Sequence, residues 1–176
     1  NEGKEIIKYA SDDDLGTTDI QFLLSGAKKE AGLLVILNNH IHNRTGDFPL
    51  GKLFNVRNAP KRDKDLLDLA RTKIPNNLMP LIVGVGDTVT STKETAGEDW
   101  LRGGSDRGFL TLIQELGKIY KKDNQVIIVD SSGGEVDRPK INDEMPKGIT
   151  DPFDPLKFNA LIPSGTEGYI SWFGEL

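Results

Sequence analysis

Residues 80–91 read PLIVGVGDTVTS, and this stretch decides the class of the fold. Six residues, 80–85, form a short apolar run that suits a central parallel strand, and Gly86 then turns the chain straight into Asp87. Downstream, Phe109, Leu112, Ile113, Leu116 and Tyr120 recur at the i, i+3, i+4, i+7, i+11 positions of one helical stripe, which predicts a helix over 106–122. A second apolar run, QVIIVD at 125–130, follows directly and reads as another buried strand. Strand, helix and strand in succession make the class α/β with a mainly parallel sheet.

The same reading extends to the rest of the chain. Residues 3–10 suggest the end of a helix, and 17–25 (TTDIQFLLS) a strand. Residues 27–42 are expected to form a helix buried on most sides. Residues 43–62 are expected to form a long basic loop with room for one short strand. A helix over 63–73 would carry Leu66, Leu67 and Ala70 on one face, with Asp63 as its N-cap and Pro75 ending it. Residues 137–155 hold four of the nine prolines and read as an irregular loop, followed by a strand at 157–162 and a helix at 166–173.

Composition narrows the function. With 22 basic and 27 acidic residues the formal charge is −5, which argues against a nucleic-acid or membrane-surface binder. There are no cysteines, so disulfides, thiolate metal sites and thiol nucleophiles are excluded. No run reaches the roughly 18–20 apolar residues of a membrane span. The opening NEGKEIIKYA lacks the pattern of a signal peptide, so a cytoplasmic protein is expected. Asn1 in mid-phrase gives the look of a fragment. Glycine is abundant, 19 of 176 residues, which points to tight turns or loops that approach a ligand closely.

Ligands of open α/β sheets gather beyond the carboxyl ends of the strands. Asp87 stands there behind a flexible glycine turn, a sound way to offer oxygen to a hard cation such as Mg²⁺. Asp106, after Gly103-Gly104-Ser105, is a second candidate, although an acid at a helix start also fits a capping role. Asp130 reads as structural. Lys29, at the start of a helix that follows a strand, fits either a solvated surface group or a cation steadying a phosphate oxygen, with Lys28 in the surface part. Arg44 is a weaker candidate for a phosphate or sugar contact. His40 and His42 do not share a helix face and have no third ligand nearby, so they are not expected to hold a metal. The run Asp12-Asp13-Asp14-Leu15-Gly16-Thr17-Thr18 approaches an Asp-x-Asp-x-Gly-Thr nucleophile loop. It has one residue too many and follows an expected helix, so it reads as a solvated acidic turn.

At GVGDTVTS (84–91), RGGSDRGFLTLIQELG (102–117) and VDSSGGEV (129–136) the sequence resembles the glucosylglycerol-phosphate phosphatases of cyanobacteria. GTTDIQFLLSG (16–26), KEAGLLVILN (29–38), HNRTGDFPLG (42–51) and LMPLIVGVGDTVTS (78–91) extend the resemblance over nearly the whole chain. It implies a haloacid dehalogenase-like phosphatase with a Rossmann-like core and an inserted cap, acting on glucosylglycerol 3-phosphate in compatible-solute synthesis and salt tolerance. Residues 1–25 would then be the end of the cap and a return strand, and 26–176 the C-terminal part of the core. Such enzymes use an aspartate nucleophile, which splits the hydrolysis into two steps, with Mg²⁺ and a lysine offsetting phosphoryl charge.

Lys29 resembles the catalytic lysine of the Lys-x-x-small-Leu helix start, and Asp87 the first acid of the late metal motif. Ser91 stands where the second acid is usual. Residues 88–105 are therefore expected to be an insertion, with Asp106 as the second metal ligand. The nucleophile and the Ser/Thr motif belong to an N-terminal half outside this chain, so the chain alone is expected to be inactive. The implied partners are a sugar phosphate and that missing half. A sucrose- or trehalose-phosphate phosphatase shares the architecture, and a non-catalytic sugar-phosphate binding module is the alternative from another class.

Overall fold

The computed structural model describes residues 6–12, 17–23, 28–93, 100–129 and 153–162, together with Gly168, Ile170, Ser171 and Gly174. The chain divides into two compact units, Asn1–Pro80 and Leu81–Leu176.

In the first unit, β1 (Ile6–Asp12) pairs antiparallel with β2 (Thr17–Leu23), from Ile6 opposite Leu23 to Asp12 opposite Thr17. The helix end expected at 3–10 is thus a strand over its described part, from Ile6 onward. The adjacent β-branched pair Ile6-Ile7 favours extended backbone, and a partner strand is close at hand in the chain. The acidic run begins at Asp12, the last residue of β1, and residues 13–16 lie outside the described residues.

Helix α1 (Lys29–Thr45) contains no proline and ends at Gly46, whose left-handed φ of 84° lets its N–H close onto the His42 carbonyl. It buries one face, Ala31, Leu34, Leu37, Asn38 and Ile41, while Ile36 is 66% exposed. The expectation of burial on most sides is therefore corrected to a single stripe. Residues 46–62 form a loop with no strand. Buried Asn38 organises it, donating from Nδ2 to the Gly51 carbonyl (3.0 Å) and accepting the Leu50 N–H at Oδ1 (2.9 Å). His42 stacks on Phe48 with ring centroids 3.6 Å apart. Asn38→Ala leaves both backbone groups without their partner, so a loss of about 1–3 kcal/mol is expected, read as a lower urea midpoint at unchanged slope.

Helix α2 (Asp63–Lys73) packs on α1 through fully buried Leu66 and Ala70, with Leu67 half-buried. Arg62, not Asp63, occupies its cap position, and neither side chain caps the helix. Asp63 instead takes an exposed salt bridge from Lys28 at 3.3 Å. A single 3₁₀ turn, Asn76–Leu78, follows Pro75.

The second unit is the α/β part. β3 (Val83–Gly86), β6 (Gln125–Val129) and β7 (Ala160–Ile162) form a parallel sheet in that order, and β4 (Thr90–Lys93) and β5 (Trp100–Gly103) form a separate antiparallel pair. Helix α3 (Arg107–Tyr120) packs on β3 and β6. Its buried set is Leu110, Leu112, Ile113, Leu116, Gly117 and Tyr120. Phe109 of the expected stripe is only half-buried, and Leu110 takes its place in the core. Asparagine side chains extend the sheet below its regular start. Asn124 accepts the Ile82 N–H (3.0 Å) and donates to the Ile113 carbonyl (2.9 Å), and Asn159 accepts the Val126 N–H (2.8 Å). Strand β3 begins three residues later than its apolar run because the ladder to β6 starts at Val83 opposite Gln125.

Candidate functional site

β3 ends at Gly86, which places Asp87 at the carboxyl end of the parallel sheet. The chain then leaves the sheet as the β4–β5 pair and returns through Gly104 to Asp106, 19 positions beyond Asp87. That excursion closes on itself at its root. The Asp106 N–H donates to the Thr88 carbonyl (3.1 Å), and Oδ2 of Asp106 accepts the N–H groups of both Asp87 (2.9 Å) and Thr88 (3.1 Å). Oδ1 of Asp87 in turn accepts the Thr88 hydroxyl at 2.8 Å. The two carboxylates predicted from sequence are brought to one loop despite the long separation.

Asp106 occupies the cap position of α3 without capping it. Its φ and ψ of −98° and −14° turn the carboxylate away from its own helix and onto the Asp87 loop. It is 4% exposed, whereas Asp87 is half-buried. The positive end of the α3 dipole and the two N–H donors make this a favourable place for a buried carboxylate. Two glycines permit the approach. A Cβ on Gly86 would lie 2.9 Å from Cβ of Asp106, and one on Gly104 would lie 2.2 Å from the Thr88 carbonyl oxygen, at a φ of +101° besides.

Next to Asp106, the Arg107 guanidinium pairs with Asp154, which is wholly buried and also accepts the Leu156 N–H at 2.9 Å. Burial pushes the Asp154 carboxyl up, but the Arg107 and Leu156 hydrogen bonds, the Arg107 charge and the Ser91 hydroxyl outweigh it and hold it below its ordinary 3.8. A depressed carboxylate contributes stability that is fully present above the ordinary aspartate range and lost as pH falls through the lower folded value. Thermal melts from neutral pH down to about pH 3 should therefore show Asp154→Asn well below wild type near neutrality, with the gap narrowing below about pH 4.

Lys29 is the first residue of α1 and Arg44 lies in its last turn, both exposed and both in the first unit. Fifteen residues of helical rise separate their backbones by about 22 Å, so the two do not converge on one phosphate. Asp130 lies outside the described residues. Among the described residues no group of three or more acidic or histidine side chains is placed to hold a metal. Asp87 and Asp106 therefore form a pair. A pair of carboxylates suits a hard divalent cation that keeps several waters and takes further oxygens from a phosphate. Sequence reasoning missed Thr88, Ser91 and Asp154, which carry no periodic or motif signal. The Gly103-Gly104 doublet was the trace of the close return.

Comparison with known proteins decides the family. A family model described as glucosylglycerol-phosphate phosphatase matches residues 1–176. The chain belongs to this family. A glucosylglycerol-phosphate phosphatase from Synechocystis sp. is 48% identical over 184 residues, an alignment covering 98% of this chain and 44% of the relative. The chain thus spans less than half the length of that family member. No solved structure matches it significantly. Among the described residues no helix is long and apolar enough to cross a membrane.

Proposed function

We propose that the parent protein is a Mg²⁺-dependent phosphatase that hydrolyses glucosylglycerol 3-phosphate to glucosylglycerol and phosphate in the cytoplasm. This chain is its C-terminal portion, with residues 1–25 ending a cap and 26–176 completing a haloacid dehalogenase-like core. The observation that carries the reading is the Asp87 loop, which offers a half-buried carboxylate at the carboxyl end of a parallel strand and whose backbone N–H groups donate to the Asp106 carboxylate. Asp87 and Asp106 would hold the cation, which when bound supplies positive charge to the phosphoryl oxygens. Asp106 holds the backbone of the loop, so that the Asp87 carboxylate stays in one orientation. Thr88 steadies that orientation through its hydroxyl. Lys29 is assigned the second positive charge toward the phosphoryl group, and Arg44 a contact with the substrate. The nucleophile lies outside this chain.

The edge of the sheet supports a missing partner from the same protein. Among the described residues β3 is the outermost strand of the order β3-β6-β7, with Val83 on it 48% exposed and Leu81, two residues before it, 59% exposed. Parallel sheets are ordinarily covered on both faces, and an apolar sheet edge invites another strand.

Phosphate release from glucosylglycerol 3-phosphate by the full-length parent tests the reading, with trehalose and sucrose phosphates alongside. Release with Mg²⁺ that EDTA abolishes is expected, with the glucosylglycerol ester strongly preferred. No release from any sugar phosphate by folded protein would overturn it in favour of a binding module.

A further inference from the structure

The first turn of α3 lacks a side-chain cap, because the Asp106 carboxylate is spent on the Asp87 loop. Something else must fix the start of this helix, since any rotation there would carry Asp106 and the two N–H groups it holds. Asp154 is placed to do so. It is wholly buried, and one of its oxygens, Oδ1, takes both the Arg107 guanidinium and the Leu156 N–H. Ser91, on β4, is equally buried. Asp154 therefore fastens the start of the incoming helix α3 to the segment around Leu156. Gln114, two turns further along α3, binds the same distant segment, donating to the Pro155 carbonyl and accepting the Lys157 N–H, both at 2.8 Å.

We propose that Asp154 is a positioning residue for the Asp87–Asp106 pair, acting through Arg107 without touching the metal or the substrate. The inference rests on the reading of that pair as the cation ligands. A buried ion pair is poor evidence for stability as such, because an apolar pair of similar volume often serves as well. What an apolar pair does not supply is the directed guanidinium–carboxylate geometry that sets the orientation of the helix start.

The test is Mg²⁺ binding to the full-length parent by calorimetry, beside the Mg²⁺ dependence of phosphate release. Asp154→Asn should bind Mg²⁺ about 10-fold more weakly, the loss usual for partners that orient metal ligands. The half-saturating Mg²⁺ for phosphate release should rise in step, while KM for the sugar phosphate at saturating Mg²⁺ stays as in wild type. Where Asp154→Asn does not fold, the paired variant Arg107→Met with Asp154→Leu leaves no orphaned charge and carries the test, with the same weakening expected. A folded variant of either kind that binds Mg²⁺ like wild type overturns the inference alone. Wild-type parent that binds no Mg²⁺ overturns the reading of the carboxylate pair, and the inference with it.

Discussion

Asp87→Asn in the full-length parent is expected to lower Mg²⁺-dependent phosphate release at least about 100-fold, equivalent to about 2.7 kcal/mol of lost transition-state stabilisation. The substitution is nearly isosteric. Asparagine keeps an oxygen that can accept the Thr88 hydroxyl, and the backbone N–H that donates to Asp106 is untouched. The loop should therefore keep its shape while losing the charge, and the melting temperature in EDTA should barely move. The same variant should lose most of its calorimetric Mg²⁺ signal. Undiminished release by the variant would remove Asp87 from the metal site and leave the loop a structural turn.

Gly104→Ala is expected to have the largest effect on stability, about 2–4 kcal/mol, or a fall in melting temperature of roughly 10 °C. Two costs combine at this position. A φ of +101° is a conformation that side chains resist, and the added Cβ would stand 2.2 Å from the Thr88 carbonyl oxygen and 2.8 Å from Cα of Val89. Both neighbours are backbone, so no rotamer change relieves the contact. Relief requires moving Thr88 away from Gly104, which pulls apart the junction between Thr88 and Asp106. Loss of stability and loss of Mg²⁺ binding should therefore appear together, and a fully stable Gly104→Ala protein would contradict the described return of the chain.

Much of the α/β unit was legible because its elements are set by strong local patterns. The apolar stripe of α3 and the runs 80–85 and 125–130 had to become a helix and two strands in the core. Asp87 was legible for the same reason, as the first polar group beyond a strand and a glycine. What escaped was whatever depends on partners distant in sequence. The strand Ile6–Asp12 is held by β2, and its own residues lack a clean alternation, which is why it reads as a helix end. Asp154 lies 47 positions from Arg107 in a proline-flanked segment with no periodicity, and only folding brings the two together. Asp106 was legible as an acid at a helix start, but its geometry was not. The side chain that propensity assigns to capping is used across the chain instead, because the close return at Gly104 sets it where it accepts the N–H groups of Asp87 and Thr88.

The closed root of the β4–β5 excursion has a consequence for how this chain tolerates change. The spacing of Asp87 from Asp106 is fixed by three hydrogen bonds at the base of the hairpin, so the length of chain beyond the base does not enter it. Lengthening a loop whose ends are already fastened costs only about 0.6 kcal/mol per doubling. A change in chain length between β4 and β5 therefore leaves the carboxylate pair its geometry.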